Sequence, residues 1–262
     1  MRKKALFFDY DGTIISDETH SIPKSARKVL AKLKEKGYLL FLNTGRTKAI
    51  LDPVIEELGF DGEILGCGSY ISYHDEVLYQ VDVEKSIYQK IIELADACEV
   101  DALLEGTHAL YMTHNIQSPR LLNILERYHD ANMVMKSCDE LEDDFVKMFV
   151  CYQNEEKKEV FNAFVSQYFQ LIDRRKNCCE IILKGHSKAS GITYLSNKLN
   201  IDLDHCYVFG DSNNDMAMFE LVENSALIGN EHNEHLAEHV MYACGDVDHD
   251  GLLEAVSAFQ LL

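Results

Sequence analysis

The sequence predicts an α/β fold, a parallel-sheet core split by an inserted α+β domain. Three observations predict it. Apolar runs of four or five residues alternate with amphipathic helical stretches near both ends of the chain. The middle, roughly 81–183, breaks that rhythm and mixes helical with strand-like runs. Polar clusters follow several of the apolar runs directly, as in open parallel sheets whose ligand crevice lies beyond the strands' carboxyl ends.

Leu6–Phe8 reads as a short buried strand. In SIPKSARKVLAKLKEKGY (21–38), Ala26, Val29, Leu30 and Leu33 recur on one helix face, with Pro23 near its start and Gly37 closing it. YLLFL (38–42) is a fully apolar strand ending in Asn-Thr-Gly-Arg. A second helix is expected from Asp52-Pro53, with Val54, Ile55 and Leu58 inward. This succession is the βαβ pattern of a parallel sheet covered on both faces. In the middle, helical stretches at Ile87–Ala97, Ser118–Tyr128 and Lys157–Phe169 mix with the runs FVKMFVCY and EIIL. The first pattern then returns: CYVFGDSNNDMAMFELV is strand, loop and helix, SALIG a further strand, GLLEAVSAF a closing helix. The expected division is a core from 1–80 and 184–262, with 81–183 inserted.

The chain's 262 residues are 47% hydrophobic and 26% charged, so a sizeable core is available. Acidic residues outnumber basic ones by 44 to 25, a net charge of -19. Such a field repels nucleic acid and anionic membrane, and neither is expected as a partner. No stretch approaches the roughly 20 apolar residues of a membrane span. The opening MRKKALFFDYDG begins like a signal peptide, but its apolar run stops at Asp9, too short for an h-region. The eight cysteines include no CxxC, and the adjacent Cys178-Cys179 pair does not readily bridge to itself. Reduced thiols and a cytoplasmic location are therefore expected.

Four polar clusters offer chemistry, and each has a plainer reading. In Asp9-Tyr10-Asp11-Gly12-Thr13, an extended strand would converge two carboxylates, with Gly12 turning the chain; D-x-D-G is also an ordinary turn. In LFLNTGR, the Thr44 hydroxyl beside the Gly45 amide suits an oxyanion, or is a strand-to-helix turn. In VFGDSNND, the hard oxygens of Asp211, Asn214 and Asp215 suit Mg²⁺, or form a turn and a helix cap. In LKGHSKASGITYL, Lys188 opens an amphipathic helix, its ammonium at the sheet edge or simply solvated.

Taken together and in this order, the clusters resemble the haloacid dehalogenase superfamily of phosphatases. The insert, followed by DHDGLLEAV, resembles the Cof-type subfamily, whose Rossmann-like core carries a large α/β cap. The resemblance covers essentially the whole chain. It implies Asp9 as nucleophile and Asp11 as general acid/base. It implies phosphate held by backbone amides including that of Tyr10, by Thr44 and the Gly45 amide, by Lys188 and by Asn214. It implies Mg²⁺ bound by Asp9, the Asp11 carbonyl and Asp211, with Asn214 and Asp215 in support. One carboxylate is then wanted ionised beside the metal and the other protonated beside the leaving group. The insert would cap the crevice and choose among small phosphorylated metabolites, sugar or cofactor phosphates. Two departures stand out: Cys67-Gly68 where relatives often carry Asn-Gly, and Ala189 in place of the glycine after the lysine.

A phosphomutase of the same superfamily is a near rival, and a phosphoaspartate signalling module a rival from another class. Receivers of that kind are compact single domains and place the phosphoacceptor on a different strand from the acidic pair. Three further motifs read more plainly. DVDHDG (246–251) opens like an EF-hand loop but has Ser257 at the twelfth position. His232, His235 and His239 share a helical face that reads as solvated, with zinc as the minority reading. DRRK (173–176) reads as a surface turn.

Overall fold

The structure is a computed structural model that describes residues 3–81, 83–141, 145–229 and 233–262. In chain order the opening part supplies β1 (Ala5–Phe8), α1 (Lys24–Glu35), β2 (Leu39–Asn43), β3 (Gly62–Leu65), β4 (Tyr70–Tyr73) and β5 (Glu76–Gln80). The middle supplies α2 (Lys85–Ala97), β6 (Val100–Gly106), β7 (Leu110–Met112), α3 (Pro119–Asp130), β8 (Met135–Ser137), β9 (Phe145–Tyr152), α4 (Glu155–Val165), β10 (Phe169–Asp173) and β11 (Cys178–Leu183). The closing part supplies α5 (Lys188–Leu199), β12 (Cys206–Gly210), α6 (Met216–Leu221), β13 (Ser225–Ile228), β14 (Tyr242–Cys244) and α7 (Gly251–Ala258).

Two compact units result. The first comprises Met1–Gly45, Asp52–Tyr79 and His186–Leu262; the second comprises Arg46–Leu51 and Gln80–Gly185. The short segment Arg46–Leu51 falls outside the 81–183 range expected for the insert. It joins the second unit because Ile50 packs in the cluster of Leu103, Leu110 and Leu121.

The first unit is built on an eight-stranded sheet in the order β14-β13-β12-β1-β2-β3-β4-β5. The six strands from β14 to β3 run parallel, and β4 turns back antiparallel onto β3. β1 is the centre of this sheet, and its side chains alternate between two apolar layers. Ala5 and Phe7 face a cluster with Phe41, Val208, and Ile192 and Leu195 of α5. Phe8 faces the other way and stacks on Phe209 at 4.7 Å between ring centroids, with Phe209 edge-on to Phe259 beyond α7. Full burial of each such ring contributes about 1.5–3 kcal/mol, so the alternation fixes which face every β1 residue takes.

The expected helix from Asp52 is instead a 3₁₀ turn over Pro53–Leu58. Asp52 caps it by accepting from the Val54 amide, and Gly59 ends it in the left-handed region at φ 71°. Ile55 and Leu58 are still buried.

The second unit carries a six-stranded sheet in the order β10-β11-β9-β6-β7-β8. α2 and α4 cover one face over Val100, Ala102, Leu104 and Phe145; α3 covers the other over Leu103 and Leu110. The stretch expected as helix to Phe169 ends at Val165, because Phe169 begins β10 and pairs with Leu183. DRRK closes the β10–β11 hairpin, with Arg175 and Lys176 at positive φ.

One expectation about the thiols is corrected. Cys151 on β9 stands opposite Cys178 on β11, and the two form a disulfide. The register of two strands 27 residues apart in sequence brings them together, and nothing in their spacing announces it. Cys178 and Cys179 point to opposite faces of the sheet, as neighbours on a strand must.

Among the described residues no helix is long and apolar enough to cross a membrane.

Candidate active site

The parallel triplet β12-β1-β2 sends its three carboxyl ends to one edge of the sheet. Asp9 follows β1, Thr44 follows β2 and Asp211 follows β12. The Asp9 amide donates to the Phe209 carbonyl at 2.9 Å, so Asp9 extends the ladder by one residue. Its parity is that of Ala5 and Phe7, which turns its carboxylate to the face covered by α5.

Lys188, the first residue of α5, meets it there. Lys188 Nζ lies 2.6 Å from Asp9 Oδ1 and 2.6 Å from Asp215 Oδ1, and donates to Asn214 Oδ1 at 3.2 Å. Lys188 and Asp9 are 1% and 3% exposed, Asp215 not at all. A lysine is so deeply buried only when paired. Burial pushes its ammonium down in pKa, but Asp215 and Asp9 outweigh burial and raise it. Lys188 is therefore a fixed positive charge.

Asp215 has a second task. Its Oδ2 accepts from the amides of Asp211 and Ser212, both at 3.0 Å. This closes a capping box with Ser212 over Asn213–Asp215 and sets the loop that carries Asp211. The loop approaches closely enough that a side chain at Gly210 would put its Cβ 2.4 Å from Asp215 Cγ. Gly12 is similarly required: at φ +72°, a Cβ there would lie 2.5 Å from Asp211 Oδ2.

Asp9, Asp211 and Asp215 bring carboxylate oxygens within 4.8 Å of one another. Burial, then Asp215, push Asp9 up to about 7 against the opposing pull of Lys188. Burial, then Asp9 and Asp215, push Asp211 up to about 9. Three carboxylates share one ammonium, so the cluster has excess negative charge and hard oxygen donors. That donor set fits a hard divalent cation, which would take the place of the protons.

β1 ends at Phe8, so Asp11 is not carried on an extended strand running on from Asp9. The Tyr10 carbonyl accepts from the amides of Thr13, Ile14 and Ile15 and curls the chain. Asp11 stands in this turn, half-buried and bridged to Ile15. The Tyr10 side chain is buried. Thr44 is 1% exposed, its amide donating to the Ile64 carbonyl at 2.9 Å, with Gly45 next in the chain. The structure thus gathers Asp9, Lys188, Asp211, Asn214 and Asp215 into one bonded network. Tyr10, Asp11, Thr44 and Gly45 stand on the adjoining strand ends.

Sequence reasoning passed over Asn43 and Gly210. Buried Asn43 donates from Nδ2 to the Lys188 carbonyl at 3.3 Å and tethers the start of α5 to β2. It was legible only as the polar last residue of an otherwise apolar strand.

Asp246 caps the turn Val247–His249 before α7, accepting from the Asp248 and His249 amides. His235 Nε2 pairs with Asn213 Oδ1 at 2.9 Å. His232 lies outside the described residues.

The chain matches the haloacid dehalogenase-like hydrolase family over residues 6–256. It is 29% identical over 270 residues to the protein named "Putative phosphatase YkrA" of Bacillus subtilis (strain 168), with all of both chains covered. Among solved structures, a hypothetical protein from Geobacillus kaustophilus HTA426 superposes with a TM-score of 0.87 at 24% identity, covering 99% of this chain and 100% of that one. The HAD subclass IIB sugar phosphatase BT4131 superposes with a TM-score of 0.79 at 24% identity, again covering 99% and 100%. With residues 6–256 matched, carboxylates at its strand ends and a buried lysine at the start of α5, the chain belongs to the haloacid dehalogenase-like hydrolase family.

Proposed function

We propose that the chain hydrolyses small phosphate monoesters, sugar or cofactor phosphates, with Mg²⁺ and through an aspartyl-phosphate on Asp9. The observation that carries this reading is the buried contact of Lys188 with Asp9 at 2.6 Å, inside a cluster of two further carboxylates. A carboxylate kept dry and aimed at a fixed cation is a poised nucleophile rather than a solubilising charge.

Asp9, the Asp11 carbonyl and Asp211 would hold Mg²⁺, which when bound offsets charge on the transferred group. Asp9 attacks phosphorus and the alkoxide leaves. Asp11, in its turn beside the strand end, gives that alkoxide a proton and later takes one from the water that opens the acyl phosphate. Thr44 and the amides of Tyr10 and Gly45 position the phosphoryl oxygens. Lys188 stabilises their charge, with Asn214 and Asp215 holding its ammonium in place. In this reading the unit Gln80–Gly185 acts as the cap that selects the substrate. A cytoplasmic location goes with the reading, since charged phosphate esters do not cross membranes unaided.

The test is to quench a phosphometabolite panel reaction in acid and reduce with borohydride. An acyl phosphate at Asp9 is converted to homoserine, which peptide mass spectrometry locates. Homoserine at position 9 together with phosphate release over many turnovers is the expected result. An unmodified Asp9 during steady turnover excludes the covalent route. Isomerised ester without free phosphate would make the chain a mutase, and a single stable phosphorylation a signalling module.

A further inference from the structure

A second cluster of metal-binding side chains lies in the unit Gln80–Gly185, built from different chemistry. β7 and β8 are parallel neighbours, with Met112 opposite Ser137. His114 follows β7 by two residues, while Cys138 and Asp139 follow β8 directly, so all three leave the same end of the pair. The His114 nitrogen, the Cys138 sulfur and an Asp139 carboxylate oxygen lie within 4.8 Å of one another. His114 Nε2 is 2.8 Å from Asp139 Oδ2. On the other side of the ring, His114 Nδ1 is 3.7 Å from Asp96 Oδ2, at the end of α2.

The turn that carries two of these groups is held in shape. Ser137 caps the 3₁₀ turn Cys138–Glu140, with its side chain accepting from the Asp139 amide and Glu140 reaching back to the Ser137 amide. Cys138 is only 2% exposed, whereas His114 and Asp139 face solvent. Asp96 and His114 also line a groove of about 380 Å³, so the His114 side of the cluster is open to solvent.

From this geometry we infer that His114, Cys138 and Asp139 form a binding site for Zn²⁺ or a similar borderline-soft divalent ion, separate from the all-carboxylate cluster at Asp9. Zinc takes S, N and O donors at about 2.0–2.3 Å in tetrahedral arrangement, which places donors about 3.3–3.8 Å apart. The Cys138 sulfur lies within 4.8 Å of the other two donors, and His114 Nε2 and Asp139 Oδ2, now 2.8 Å apart, must part by roughly half an ångström to reach that spread. Asp96 Oδ2 stands 3.7 Å from Nδ1 on the far side of the ring, where a small closing would give the metal-bound imidazole the carboxylate that such histidines usually carry and hold the proton on Nδ1. A thiol and an imidazole disfavour Mg²⁺, so the two sites select different ions. Binding forms the S–Zn, N–Zn and O–Zn bonds, releases the thiol proton to solvent, and leaves a fourth position for water. No redox partner is needed. The bound ion would tie the ends of β7 and β8 together.

The test titrates Co²⁺, a spectroscopic stand-in for Zn²⁺, into the metal-free full-length protein. The Asp9 cluster offers only oxygens, so a thiolate-to-cobalt charge-transfer band reports this site alone. The expected result is one such band, with tetrahedral visible absorption, bleached by Zn²⁺. Cys138→Ser should abolish it and Cys67→Ser should leave it intact. Asp139→Asn, an exposed change that leaves the fold undisturbed, should weaken Co²⁺ binding, and Asp96→Asn should weaken it about 10–100-fold. With Mg²⁺ in excess to fill the Asp9 cluster, Zn²⁺ should raise the melting temperature of the parent protein more than that of Cys138→Ser. Absence of a thiolate band, or a band that survives Cys138→Ser, overturns the inference.

Discussion

Lys188 Nζ lies 2.6 Å from Asp9 Oδ1 with both side chains out of solvent. Lys188 also bonds Asp215, which in turn anchors the amides of the Asp211 loop. One cation therefore supports both the proposed chemistry and the local fold. Lys188→Met should lower kcat by at least about 100-fold, as loss of a fixed transition-state charge does. It should also cost about 3–5 kcal/mol, because it leaves carboxylates buried without their partner. Adding Mg²⁺ should restore part of the stability but not the rate. Denaturant unfolding and steady-state kinetics, each with and without Mg²⁺, check both halves.

Asp9→Asn preserves shape and keeps the Lys188–Asp215 pair. The fold should survive, and turnover should be almost wholly lost, since removing a covalent nucleophile costs far more than tenfold. A well-folded Asp9→Asn protein that retains a tenth of the parent kcat would contradict the assignment.

Asp11 is separated from Asp9 by the turn around the Tyr10 carbonyl, which suits a group that serves the leaving oxygen rather than phosphorus. Asp11→Asn should therefore depress kcat/KM strongly for alkyl phosphates and much less for p-nitrophenyl phosphate, whose leaving group needs little protonation. Equal losses on both esters count against the acid role.

Much of this site was legible because chemistry and topology coincide in the chain. Asp9, Thr44 and Asp211 each follow an apolar strand, and three parallel neighbours must deliver their carboxyl ends to one edge. Lys188 was legible as a helix start, but its burial was not, since that depends on the face taken by Asp9. Long-range register stayed hidden. Cys151 meets Cys178 only through the pairing of β9 with β11. His114 meets Cys138 only through β7 and β8, with 23 intervening positions carrying no trace of it. Local competition misled elsewhere: Asp52-Pro53 begins a 3₁₀ turn rather than a helix, because Gly59 stops it after six residues.

Cys67 occupies the left-handed region, at φ 56° and ψ 39°, between Leu65 and Gly68. A side chain with a Cβ costs about 1–2 kcal/mol there, and asparagine tolerates it best after glycine. An asparagine at this position, as the family resemblance implies, would have a backbone reason. Cys67→Asn should raise stability by about 1 kcal/mol, or roughly 2–4 °C in Tm. Cys67→Ala, which keeps the Cβ, should give no such gain. Thermal melts of the two variants separate a backbone effect from loss of the thiol.

The carboxylate cluster also sets a pH dependence. In the folded chain burial, then neighbouring carboxylates, push Asp9 up to about 7 and Asp211 up to about 9. In the unfolded chain both return to the ordinary value of 3.8. Between those limits the folded state holds protons that the unfolded state has released. Their contribution to stability is full below the unfolded value and is lost as pH rises through about 7 and then about 9. The metal-free protein should accordingly lose melting temperature over that range, and Asp211→Asn should flatten the loss. A divalent cation replaces the protons, so Mg²⁺ should stabilise the chain little below the Asp9 value and progressively more above it, releasing protons as it binds. Melting curves with and without Mg²⁺ on either side of the two values measure this directly. A Mg²⁺ gain that does not change with pH would show that the ion binds away from Asp9 and Asp211.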